Sequence, residues 1–249
     1  HIPWQGLYTI HGGSTDWAND GHGMVAFLNE LWNDSQFFQS PLLEEQQEEN
    51  QRSPIYGDHS RFFFNDFLEF GENHVDWAPF DHPEYGEVEM GGWTKFARRV
   101  NPRFMSMEVF HRNMAFTLYH ADQLPLMTMG ESRVESLGDG MYRVQVDITN
   151  ERLIPTITAR AVSTKVVRPD ILTADGDVEI VAAGWVRDRN RPGATQMIEQ
   201  EDLNRILVRS GHPGRTTRTI EYLVRGTGEL EVTYSTVKGG TASTTVRVR

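Results

Sequence analysis

The sequence predicts a chain in two parts: an α/β portion over residues 1–124, then an all-β domain, a β-sandwich, over residues 125–249. Three observations carry this reading. Before Pro125, apolar residues recur at helical spacing in two segments, with short strand-like runs around them. After Pro125 the pattern changes to alternation in short segments divided by glycine-rich turns. The charge changes at the same place: residues 1–122 carry 19 acidic side chains against 7 Lys/Arg, whereas residues 123–249 carry 16 against 17, giving the formal net charge of −11.

In the first part, Met24-Val25-Ala26-Phe27-Leu28 is a continuous apolar run and reads as a strand buried on both faces. The polar, acidic stretch from Leu43 to Gln51 reads as a solvated loop or frayed helix. A helix is expected from Ser60 to Glu69. Phe63, Phe67 and Phe70 fall at i, i+4, i+7 with Phe64 and Leu68 beside them, Asp58 is placed to cap its start, and Gly71 to end it. Val75–Phe80 and Tyr85–Met90 read as two short strands joined through Asp81-His82-Pro83. Asn101-Pro102 then opens a second helix, running to about His120, with Met107, Phe110, Met114 and Leu118 as its buried stripe.

In the second part Tyr142, Val144, Val146 and Ile148 alternate with Arg143, Gln145 and Asp147, and Gly138-Asp139-Gly140 precedes them as a turn. Further strands are expected at 178–181, 205–208, 219–224, 230–234 and 244–248. Short strands at this spacing are the pattern of a sandwich. The domain boundary falls near residues 122–128.

Composition excludes several classes. No stretch approaches the ~20 apolar residues of a membrane span. Cysteine is absent, which removes disulfides, thiolate metal sites and cysteine nucleophiles. An acidic first half with no basic stripe argues against nucleic acid as a partner. The chain starts at His1 within what reads as a structured segment, so a fragment or processed piece is expected.

One segment carries chemistry. Tyr8-Thr9-Ile10-His11-Gly12-Gly13-Ser14-Thr15-Asp16-Trp17-Ala18 runs on to Asn29-Glu30-Leu31 without a gap. It resembles the zinc carboxypeptidases of peptidase family M14, in which a tyrosine precedes a Gly-Gly/Ser-x-Asp-Trp element and the chain then reaches a catalytic Glu-Leu. The likeness is strong over residues 4–32, and His82–Gly92 also looks like bacterial members. The resemblance implies that residues 1–124 are the C-terminal part of a mixed-sheet catalytic domain. It implies that Glu30 is the general base and acid of peptide hydrolysis, taking a proton from the attacking water and returning it to the leaving amine. Tyr8 matches the mobile tyrosine that closes over the substrate. Thr15 matches the floor of the pocket for the C-terminal side chain, where a small uncharged residue selects weakly for charge. Asp16 and Trp17 are expected to be structural, Asp16 through turn hydrogen bonds and Trp17 through core packing.

The sequence also departs from the family. Its cofactor is zinc, held by a His-x-x-Glu pair and a later histidine that lie before the tyrosine element. Here no histidine is followed three positions on by glutamate. His11, His22, His74, His82, His111 and His120 lack ligand spacing and read as surface or satisfied core histidines. The zinc ligands and substrate-gripping arginines are therefore expected upstream of residue 1, with the fragment alone inactive. The implied substrate is a peptide, and the expected setting is secreted or periplasmic. Two alternatives stand beside this reading: an M14 enzyme trimming peptidoglycan stem peptides, or a catalytically dead remnant that binds through its β domain.

Overall fold

A computed structural model describes residues 12–29, 31–32, 58–97, 100–188, 190–191 and 194–249. It is mostly β, with several antiparallel sheets. The described chain divides into two compact units, residues 28–118 and a second unit that joins residues 12–27 to residues 119–249.

The second unit holds nine strands: β3 (Met127–Gly138), β4 (Met141–Asn150), β5 (Asp170–Gly176), β6 (Glu179–Val186), β7 (Thr195–Met197), β8 (Arg205–Val208), β9 (Thr216–Arg225), β10 (Gly228–Ser235) and β11 (Thr241–Val248). They form two antiparallel sheets, in the orders β3-β4-β9-β6-β7 and β11-β10-β5-β8. The inward positions of both sheets meet in one core. Val144, Val146, Ile148, Ile220, Tyr222 and Val224 come from the larger sheet, and Leu172, Ile206, Leu230, Val232 and Tyr234 from the smaller. Ile148, Leu172, Ile220 and Leu230 are wholly buried, and each such side chain contributes about 1.5–3 kcal/mol relative to exposure. The sandwich expected from alternation is therefore present, and the strands expected at 178–181, 205–208, 219–224, 230–234 and 244–248 all fall on or within a residue of β6, β8, β9, β10 and β11.

The turn into β4 has a specific cause. Gly138 pairs with Met141, leaving Asp139 and Gly140 as a two-residue loop. Both have positive φ, 51° and 72°, the combination of a type I′ turn, whose twist matches that of the flanking strands.

The unit of residues 28–118 is built around a small aromatic cluster. Helix α1 (Asp58–Leu68) buries Phe64, whose ring lies 5.5 Å from that of Trp32. The hairpin β1 (His74–His82) and β2 (Gly86–Trp93) adds Trp93 and His74, with ring centroids 4.9 and 5.0 Å from Phe62. Asn65 locks the junction: its Oδ1 accepts from the Asn73 amide at 2.9 Å, and its carbonyl accepts from Gly71, which ends the helix at φ 78° as the sequence leads one to expect. A 3₁₀ turn (Arg103–Met105) then leads into α2 (Ser106–Asp122).

Several expectations fail here. Residues 24–29 form no strand, and Met24, Phe27 and Leu28 are exposed. A strand needs a neighbour for its backbone donors and acceptors, and no described strand pairs with this segment. Of the apolar side expected for α1, Phe64 is buried, whereas Phe67, Leu68 and Phe70 are exposed. On α2 the expected buried stripe is open, with Met107 80% and Leu118 61% exposed. At its N-terminus Asn101 does not cap α2; its amide donates to Pro102 O and Ser106 Oγ, and Pro102 sits one residue before the first turn. Among the described residues of 28–118, the β1–β2 hairpin is the one sheet.

Candidate functional site

Of the three site residues expected from sequence, Tyr8 and Glu30 lie outside the described residues. Thr15 is described. It sits half-buried in a single helical turn, Ser14–Asp16, that runs into a wide turn of π type at Trp17–Gly21. Backbone bonds bind these turns together: the amides of Trp17, Gly23 and Met24 donate to the carbonyls of Gly13, Asn19 and Ala18 at 3.0, 2.9 and 2.9 Å. The Asn19 side chain closes the far end by donating to Met24 O at 3.1 Å. Trp17 is not a core residue. It is 63% exposed, and its ring lies against His22 at 4.2 Å, because the turn points it away from the sandwich core rather than into it. Asp16 makes no side-chain capping bond where it precedes the wide turn.

Gly23 is where this segment joins the sandwich. It is buried, has φ 60°, and a Cβ there would lie 2.4 Å from the Ala161 Cβ, so the position admits glycine alone. Its carbonyl accepts from Lys238 Nζ at 2.6 Å and from Thr158 Oγ1 at 3.1 Å. Thr158 is also the N-cap of α3 (Ala159–Thr164), accepting from the Ala161 amide at 3.2 Å. Arg160 of the same helix donates to Asp20 at 2.8 Å. Burial lowers the pKa of Lys238, a cost that its contacts with two carbonyls offset.

Of the histidines singled out from sequence, His11 lies outside the described residues, and His22, His74, His82 and His120 make local contacts. His74 belongs to the aromatic cluster, His82 Nδ1 accepts from the Glu84 amide at 3.1 Å, and His120 meets Phe27 edge to face. Among the described residues no three or more His, Asp or Glu side chains converge as a set of metal ligands.

Sequence reasoning passed over a buried polar cluster at one end of the sandwich. Asp170, fully buried, accepts through Oδ2 from Thr156 Oγ1 at 2.5 Å and Tyr234 OH at 3.0 Å. The His212 amide donates to Thr156 Oγ1 at 2.7 Å, and His212 Nε2 lies 3.0 Å from Ile148 O. Burial raises the Asp170 pKa, with the two hydroxyl donors pulling the other way, and lowers that of His212 to about 4, with Arg218 adding to the effect. Asp170 Oδ1 and His212 Nδ1 have no partner among the described residues. The cluster is enclosed, so it offers a substrate no access, and its evident work is to join β4, β5, β10 and the Gly211 turn. A signal for it existed: Tyr234 shares the inward parity of Leu230 and Val232, which places a hydroxyl inside the core and demands an acceptor there.

An open cleft of about 290 Å³ lies on the outer face of the larger sheet, among Arg133, Arg143, Arg191, Asp188 and Glu221. Its charges are mostly matched within the sheet. Arg133 reaches Glu131 at 2.9 Å and Asp147 at 3.3 Å, while Arg143 pairs with Glu135 and lies 3.5 Å from Glu221. The pairs with the exposed Glu131 and Glu135 contribute about 0–1 kcal/mol each, whereas Asp147 and Glu221 are largely buried.

Compared with known families, residues 127–247 match one described as a domain of unknown function, DUF8731, which covers the sandwich and just under half of the chain. No curated protein matches the chain.

Proposed function

We propose that this chain is part of a metallocarboxypeptidase resembling family M14, acting on the C-terminal bonds of peptides in a secreted or periplasmic setting. The observation that carries the reading is the gapless run from Tyr8 through Thr15-Asp16-Trp17 to Glu30-Leu31. In it the Glu30 carboxylate takes a proton from the attacking water and delivers it to the leaving amine, Tyr8 closes over the substrate, and Thr15 floors the side-chain pocket. The described residues offer no donor set that fits zinc, so the reading leaves the metal's ligands outside them and gives this chain proton transfer and recognition. The open apolar faces of residues 28–118, with Trp77 63% and Met107 80% exposed, support a larger catalytic domain of which this unit is a part. The sandwich then serves as a structural module.

Steady-state kinetics of Glu30→Gln in the complete enzyme, with metal content measured on the same sample, test the reading. Glutamine keeps the shape but cannot accept the proton, so kcat should fall by about 10²–10⁴, with KM and metal content little changed. A kcat within a few-fold of wild type would overturn the assignment.

A further inference from the structure

The carbonyl of Gly23 receives two donors from separate parts of the sandwich. Lys238 comes from the turn between β10 and β11, and Thr158 from the start of α3. That turn is itself fixed, since Thr236 Oγ1 accepts from the Gly239 amide at 2.6 Å and the Thr236 amide donates to Gly240 O at 2.9 Å. Lys238 is thus presented from a braced loop, and its cation meets the carbonyl end of the helical turns at His22 and Gly23. Steric fit acts in the same direction, because Gly23 is pressed against Ala161 and Val167. The Gly23 amide donates to Asn19 O, the neighbouring Met24 amide to Ala18 O and the Trp17 amide to Gly13 O, a run of bonds that leads back to the turn carrying Thr15. A shift at Gly23 therefore moves Thr15 with it.

We propose that Lys238 and Thr158 are positioning residues for the specificity pocket: the sandwich grips Gly23 and, through the hydrogen-bonded turns, sets the depth of the Thr15 floor beneath a neutral C-terminal side chain. This rests on the assignment of Thr15 as the floor, and it makes the accessory domain a determinant of substrate choice.

Two measurements test it. In the full chain, hydrogen exchange over residues 13–24 should quicken about tenfold in the double variant Lys238→Ala, Thr158→Val, while β4 and β9 keep their protection as the control for folding. Lys238→Arg, which keeps a cationic donor, should hold near wild type. Unchanged exchange over residues 13–24 in the double variant overturns the grip. In the complete enzyme, Lys238→Ala should raise KM about three- to tenfold and alter the ratio of kcat/KM between small and large neutral C-terminal residues, with kcat nearly unchanged and Lys238→Arg restoring both. Faster exchange with no change in KM or preference would leave the grip standing and sink the positioning role. Failure of the pocket assignment is read separately, from Thr15→Asp leaving charge preference untouched.

Discussion

His212 Nε2 lies 3.0 Å from the carbonyl oxygen of Ile148, and since a carbonyl can only accept, this nitrogen carries the proton and Nδ1 is left bare. Burial and the nearby Arg218 both resist a second proton, which holds the pKa at about 4 against an ordinary 6.5. The unfolded chain therefore binds more protons than the folded one between these values. The contribution is complete above pH 6.5 and is lost as pH falls toward 4, to a limit of roughly 3 kcal/mol. Asp170 has the opposite sign: its raised pKa adds stability at low pH that is lost as pH rises through its folded value. Urea unfolding of wild type and His212→Gln between pH 4 and 7 isolates the His212 part, because the variant lacks the imidazole while every other titrating group, Asp170 included, is kept. The loss of stability on acidification should be shallower in His212→Gln, and parallel curves would show that His212 does not titrate across this window.

Tyr234→Phe removes one of the two donors to Asp170 Oδ2 and changes little else in the packing. At neutral pH the loss should be about 1–3 kcal/mol, the usual effect of leaving a buried polar group short of a partner. The deficit should shrink toward pH 4, because a protonated carboxyl needs the donor less. A deficit that does not change with pH would mean that Asp170 stays in one protonation state throughout.

Core and open-face substitutions should differ sharply. Ile220→Ala empties space at the centre of the sandwich, where Ile220 is fully buried, and should lower the unfolding free energy of that unit by about 2–5 kcal/mol. Met107→Ala, on the 80% exposed face of α2, should stay within about 0.5 kcal/mol. Chemical denaturation followed by hydrogen exchange resolved by segment checks both units, and a Met107→Ala cost comparable to the core change would mean that α2 is covered in solution.

Thr15→Asp places a carboxylate at the proposed pocket floor, where it would need a cationic partner. In the complete enzyme, relative kcat/KM should move toward peptides ending in Lys or Arg. Competition between lysine- and leucine-terminated peptides reads the shift directly, and an unmoved ratio counts against the pocket assignment.

The sandwich was legible because its core strands each have one dry face: Val144, Val146 and Ile148 cannot alternate as they do and be anything else. Strands β3, β5 and the three-residue β7 were missed, the first two for physical reasons. Most of β3 is open, as suits a strand at the edge of its sheet, and β5 begins with Asp170, a polar side chain buried only because Thr156 and Tyr234 meet it. The helices α1 and α2 were found, but which of their apolar residues are buried was not, since period 3.6 reports an apolar side and not what lies against it. Of the candidate site, the motif shows in sequence as residue types at fixed spacing. The grip on Gly23 does not, because Lys238 and Gly23 are brought together only by the fold.

The Phe27 ring lies 4.9 Å from that of His120, so the chain leaves the sandwich unit and re-enters it at one doorway. Everything between, residues 28–118, is an excursion from a body whose two ends are already joined by side chains. The entropy of closing such an excursion grows only with the logarithm of its length, by about 0.6 kcal/mol per doubling. Its length is thus nearly free to drift without loosening the sandwich.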